Sequence, residues 1–295
     1  MINRTNAMDR IGAAAILCAA ALFVTGVATV FASSASAQNE AVLIPAWDAG
    51  DDSNTATIDH SAWQSLLDAF VLAHESGVNR VDYAALKASP GARAALQDYL
   101  AMLQSIDPRE YSRAEQKAYW FNFYNALTVE TVTAEYPVDS IREISDSLIG
   151  IGGFIPIGPW GDVRAQAAGI DLTLDNIEHG ILRPIYRDPR IHYGVNCASI
   201  GCPNLAATAF TAANTEELLE EAARNYINHP RGVDVVDEDF IVISSIYTWF
   251  VEDFGGGEAA VIEHLLQYAE PELAGSLRDF AGFIEYEYDW ALNQP

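Results

Sequence analysis

The segment from Ser112 to Tyr136 constrains the fold more than any other. Through Tyr119-Trp120-Phe121-Asn122-Phe123-Tyr124-Asn125-Ala126-Leu127, apolar and aromatic residues fall on every side of a helical projection, and Pro137 ends the run. A helix that is hydrophobic all round is a buried helix, so this one is expected at the centre of a core that other elements cover. Asn122 and Asn125 lie in it at three-residue spacing and share a face. Buried amides need hydrogen-bond partners, so the two either tie down nearby loop backbone or line a site.

The rest of the chain reads as further helices with a few strands. Trp63, Leu66, Leu67, Phe70 and Val71 recur at helical steps after a cap at Asp59 or Ser61, and Leu96, Tyr99, Leu100 and Leu103 mark another helix after Pro90-Gly91. Thr173 caps a short helix from Leu174 to Arg183 that Pro184 stops. Glu178 sits on or beside its stripe of Leu174, Ile177 and Ile181, with His179 turned about 100° away. Ile191 to Asn196 reads as a short strand that delivers Cys197 into the loop Ala198–Pro203. Val233–Val236 and Phe240–Ile243 alternate about Asp237-Glu238-Asp239 as a hairpin. Residues 145–170 carry so many glycines and prolines that they read as one long irregular loop around Trp160, without the Gly-Lys-Ser/Thr of a phosphate cradle. Residues 59–295 are therefore expected to form a single globular α+β domain, mainly helical, with a few short strands and a β-hairpin. A cysteine-peptidase-like arrangement is among the folds this admits.

Charge narrows the function. With 41 Asp+Glu against 16 Lys+Arg the net charge is −25, and Lys87 and Lys117 are the only lysines. Such a chain repels phosphates and anionic lipid, so no nucleic-acid partner is expected. Residues 1–37 place Arg4 and Arg10 before a 21-residue apolar run, Ile11 to Phe31, and end in Ala35-Ser36-Ala37. That is the pattern of a secretory signal cleaved after Ala37, with a periplasmic or secreted product. The run is long enough to span a bilayer, so membrane association is expected only if it is left uncleaved. Residues 38–58, acidic and without a base, read as a flexible leader. Cleavage would leave Cys197 and Cys202 as the only cysteines, and an oxidising compartment favours a disulfide between them.

Cys197 is also the best candidate nucleophile. On a strand, His192 five residues earlier would point to the opposite face about 16 Å away, which makes it a poor base. His179, on the preceding helix, is the better one, with Glu178, Asn122 or Asn125 as orienter. This set predicts a cysteine-dependent hydrolase or acyl-transferase acting on an amide, ester or thioester of a small-molecule or peptide substrate, with the Ala198–Gly201 amides holding the oxyanion. Two alternatives use neighbouring features. One is a thiol redox or metal-binding role for Cys197 and Cys202, although Cys-x4-Cys with only His179 and His192 in support is a weak zinc signature. The other is a non-catalytic envelope binding module using Trp160, Trp249 and Trp290. No motif calls for an organic cofactor.

Four separated motifs then stand in order: Asn122-Phe123-Tyr124-Asn125-Ala126-Leu127, Leu172 to Arg183 with Glu178-His179-Gly180 at its centre, Asp188 to Pro203 with His192 and Asn196-Cys197, and Tyr288-Asp289-Trp290. Together they resemble the domain-of-unknown-function 547 family over about Val81 to Asn293. The resemblance implies no established activity, but it marks the Asn125 region, Glu178, His179, His192 and Cys197 as shared polar positions. Eukaryotic members that join this domain to glutaredoxin-like or leucine-zipper segments hint at thiol chemistry. In many of those relatives serine stands at the position of Cys202 while Cys197 is kept, which argues against a purely structural disulfide. Tyr193-Gly194 stands here where Phe-Ala is common in the family.

Overall fold

In the computed structural model, which describes residues 40–144 and 158–295, the chain begins with α1 (Ser61–Phe70), β1 (Val71–Leu72), β2 (Arg80–Val81), α2 (Tyr83–Ala88), α3 (Pro90–Ser105) and α4 (Arg113–Glu135). The signal segment expected at residues 1–37 and residues 145–157 of the glycine-rich region lie outside the described residues. As the sequence requires, α4 is central. The Ser112 hydroxyl caps it by accepting from the Glu115 amide, and every residue from Glu115 to Val129 is buried. Asp82 caps α2, a helix too short for its periodicity to stand out in the sequence.

Residues 158–170 are more regular than their glycine content suggests. Strands β3 (Ala165–Ala167) and β4 (Ile170–Leu172) pair antiparallel through Ala168 and Gly169, at φ 47° and 76°. Two successive left-handed residues make the tight turn that matches the twist of a hairpin. Thr173 then caps α5 (Leu174–Ile177) in a reciprocal box with Asn176.

Here the chain departs from the sequence reading. Instead of ending at Pro184, α5 passes through a π-helical turn (Glu178–Leu182) into α6 (Arg183–Tyr186), with the Arg183 amide donating to the Glu178 carbonyl five residues back. Proline cannot donate to the carbonyls of the preceding turn, so those need other donors. The leader supplies them: Ile44 N–H donates to Gly180 O at 2.9 Å and Val42 N–H to His179 O at 3.0 Å.

The expected strand at 191–196 is instead a helical turn, α7 (Ile191–Gly194), followed by extended Val195. All four residues of α7 are buried, so the sequence offered no alternation by which to tell strand from helix. The remainder is α8 (Thr215–Ile227), β5 (Val233–Val235), β6 (Phe240–Ser244), α9 (Ile246–Trp249), α10 (Glu258–Tyr268), α11 (Pro271–Leu277) and β7 (Phe283–Glu287). Strands β5 and β6 form the expected antiparallel hairpin, and β7 adds parallel to β6. One apolar core surrounds α4 and a second lies between this sheet and α8 and α10, with Ile191 of α7 in the first and Tyr193 in the second. The fold is α+β and mainly helical.

Residues 41–58, read from sequence as a flexible leader, pack against α4. Trp47 is 1% exposed and meets the Trp120 ring edge-on at 5.1 Å. Ile58 N–H donates to Glu115 Oε1 at 2.7 Å, and Gln116 Nε2 donates to Ala49 O. The acidity that suggested a solvated tail is answered by Arg113, which pairs with Asp48 and donates its amide to Asp52. Truncating Trp47 to alanine is expected to cost about 3–5 kcal/mol in a denaturant titration. A loss below about 1 kcal/mol would show that the leader is not part of the core.

Candidate functional site

Asn125 and Asn122 organise the loops above α4. Asn125 Nδ2 donates to Gly194 O at 2.9 Å and its Oδ1 accepts from Asn196 N–H at 2.9 Å, which holds the chain on the approach to Cys197. Asn122 grips Phe210 in the same two-point way, donating to its carbonyl at 2.7 Å and accepting from its amide at 3.0 Å. Asn196 continues the pattern, donating to Pro203 O and accepting from Ala198 N–H, so both ends of the cysteine loop are fixed by side-chain amides. Ala198 at φ 61° occupies the left-handed region that non-glycine residues avoid, and this clamp holds it there.

The C-terminal segment closes the loop from the other side. Ile200 N–H donates to Ala291 O and Gly201 N–H to Asp289 O, while Asn293 N–H donates to Ala198 O. A Cβ on Gly201 would meet Asp289 N at 2.8 Å, so glycine is what allows this approach. With the Ala198, Ile200 and Gly201 amides paired in this way, they are not free to form the oxyanion hole that the sequence suggested.

The loop brings the two thiols together as free cysteines. Cys197 Sγ lies 3.0 Å from Cys202 Sγ, 2.9 Å from Tyr288 Oη and 3.3 Å from Ser199 Oγ, and Cys197 N–H donates to Cys202 Sγ. Tyr288 Oη also reaches Ser199 Oγ at 2.9 Å, which closes a triangle over Cys197. The two sulfurs are unequal. Cys202 is buried, and burial first and its neighbour second push its thiol well above the usual range. Cys197 is partly buried, and the hydrogen bond from Cys202 draws its thiol below the usual value against the opposing effect of burial, with Ser199 and Tyr288 assisting and the Glu178 charge resisting. The Tyr288 ring lies tilted against Trp249 at 4.8 Å and Trp290 at 4.7 Å, and Trp160 meets Trp290 edge-on at 5.7 Å. The three tryptophans singled out from the sequence thus form one partly buried array beside Cys197.

Glu178, His179 and His192 converge on a different centre. His192 Nε2 lies 2.7 Å from Asp253 Oδ2, its Nδ1 lies 3.6 Å from Glu178 Oε1, and its ring stacks on Phe250 at 4.2 Å. Arg183 donates through Nε to Asp253 at 2.6 Å and lies over Phe250. Its Nη1 is 3.0 Å from His179 Nδ1. A guanidinium only donates, so His179 Nδ1 accepts and the ring proton sits on Nε2, the nitrogen 3.8 Å from Asp175. Burial favours this neutral imidazole and lowers the His179 pKa. Burial pushes the Glu178 carboxyl up, but His179, His192 and Arg183 outweigh it and hold it at about 2. Asp253 is likewise drawn below the usual carboxylate range, where His192 and Arg183 overcome its burial. Asp175 is pushed upward by burial and by Glu178, though its side chain is 37% exposed and solvent moderates the effect.

The two centres flank Trp249-Phe250 at the end of α9. Among the described residues no hydrogen bond joins Cys197 to a histidine, so the geometry does not assemble a thiol–imidazole pair from Cys197 and either His179 or His192. No group of three or more His, Cys, Asp or Glu among the described residues is arranged to hold a metal ion. Sequence reasoning gave no role to Phe250 or Asp253, nor to Arg183, Ser199 and Tyr288, which stood only as members of the family motifs. Arg183, four residues after His179, also carried a helical signal, since that spacing puts both on one helical face.

Glu178 yields a pH prediction. A carboxyl held at about 2 against its ordinary 4.5 contributes stability that is complete above 4.5 and is lost as pH falls toward 2. Denaturant titrations across that window should show Glu178→Gln losing less stability on acidification than the parent, by on the order of 3 kcal/mol. Parallel pH profiles would contradict the assignment.

No curated protein and no solved structure matches the chain. The family described as protein of unknown function, DUF547, matches residues 108–227. That span holds Asn122, Asn125, Glu178, His179, Arg183, His192, Cys197 and Cys202, while Asp253 and Tyr288 come from beyond it. By that match, residues 108–227 of this chain resemble a DUF547 domain.

Proposed function

We propose that this protein is an exported thiol redox protein in which Cys197 and Cys202 cycle between dithiol and disulfide. The observation that carries the reading is the unequal pair itself: two free sulfurs 3.0 Å apart, one partly buried and acidified, the other buried and kept protonated. An attacking thiol needs thiolate character and access, and a resolving thiol needs proximity. The hydrolytic alternative needs a base on Cys197, and the partners of that sulfur are Cys202, Ser199 and Tyr288 rather than an imidazole.

The reaction balances as two exchanges. The Cys197 thiolate attacks one sulfur of an external disulfide, forming a mixed disulfide and expelling the other half as a thiolate. Cys202 then attacks Cys197 Sγ, its proton passing to the departing thiolate as the second half leaves. The protein loses two electrons and the substrate gains them. Sulfurs 3.0 Å apart need only a small approach to reach the bond length of about 2.05 Å. The array of Trp160, Trp249, Tyr288 and Trp290 offers an apolar surface for groups flanking the substrate disulfide.

The test is equilibration in graded mixtures of reduced and oxidised glutathione, followed by acid quench, alkylation and intact mass. Both cysteines should lose label together in one two-electron transition that dithiothreitol reverses, and Cys202→Ser should accumulate a glutathione adduct on Cys197. Thiols that remain labelled throughout, or a parent protein that stops at the adduct, would overturn the proposal.

A further inference from the structure

The π turn that carries Glu178 and His179 is completed by a segment more than 130 residues away in the chain. Pro184 has no amide hydrogen, and the two carbonyls that lie four and five residues before it, Gly180 O and His179 O, are the ones that Ile44 and Val42 engage. The side chain of Ile44 rests where a side chain at residue 180 would stand: a Cβ there would meet Ile44 Cγ1 at 2.8 Å. Three residues further on, Trp47 is buried against Trp120, which anchors the segment to α4. On the opposite side of the same turn, His179 accepts from Arg183 and Glu178 faces His192.

We infer that residues 41–47 act as a strap that holds the π turn open past Pro184 and thereby sets Glu178, His179 and Arg183 against His192 and Asp253. The inference is independent of the redox reading, because it concerns the carboxylate–imidazole centre and not the thiols. With the strap undocked, His179 O and Gly180 O lose their donors, and the turn relaxes toward regular helix or breaks at Pro184. Either change rotates His179 away from Arg183. Docking of the N-terminal segment is thus a conformational control on this centre.

The experiment uses the whole folded chain carrying Gly180→Ala, with and without Ile44→Ala, and reads two signals: hydrogen exchange at the Val42 and Ile44 amides, and the imidazole nitrogen resonances of His179 and His192. Gly180→Ala should speed exchange at both amides by roughly tenfold or more and shift the His179 nitrogens as the Arg183 bond is lost. Adding Ile44→Ala restores the space, so amide 44 should regain protection and the His179 signals should return. Because alanine favours helix over glycine, a merely local effect would stabilise the turn and leave the strap in place. Val42→Pro, which deletes the donor to His179 O without adding bulk beneath Ile44, keeps the test open should Gly180→Ala fail to fold. Unchanged exchange at residues 42 and 44 in Gly180→Ala would overturn the inference. So would fast exchange at the Ile44 amide, in either variant, with unshifted histidine signals.

Discussion

Everything near Cys197 depends on the two-point grip of Asn125 on the backbone of Gly194 and Asn196. The grip comes from a helix enclosed by the core, so the loop it holds inherits the rigidity of that core. Asn196 passes the constraint on to Ala198 and Pro203, and the C-terminal segment adds three backbone bonds from outside. Placing asparagines in an apolar interior costs free energy unless each polar atom is satisfied. Here the principal cost is offset because both amides at 122 and 125 neutralise loop backbone that would otherwise be buried unpaired.

The second centre follows a different logic. Arg183 and His192 both hydrogen-bond Asp253 beside the Phe250 ring, with Glu178 3.6 Å from His192, and loss of one partner would leave its counterpart buried without compensation. Such a network specifies position more than it adds stability. Its members come from the π turn, from α6, from α7 and from the turn after α9, so its assembly reports that the two apolar cores have docked correctly.

What could be read from the sequence was what is local. The α4 boundaries, the Thr173 cap and the β5–β6 hairpin each follow from signals within a few residues of one another. The run of α5 into α6 could not be read that way, because Pro184 is a stop signal unless distant donors take up the freed carbonyls, and those donors are Val42 and Ile44. The leader misled for the same reason, since its acidic residues find Arg113 only in three dimensions. At the site, Glu178, His179, His192, Cys197 and Cys202 were visible as reactive residue types, but the partners of each were not. The sequence reading joined Cys197 to His179, whereas tertiary packing gives Cys197 to Tyr288 and the histidines to Arg183 and Asp253.

The redox proposal rests on the inequality of the two thiols, and the most direct measurement of it is the ionisation of Cys197, followed by thiolate absorbance in the reduced protein and in Cys202→Ala. The account predicts that Cys197 titrates below the ordinary thiol value of 9.0 and moves upward when the hydrogen bond from Cys202 is removed. A Cys197 that titrates at or above the ordinary value, or that is indifferent to the loss of Cys202, would contradict it.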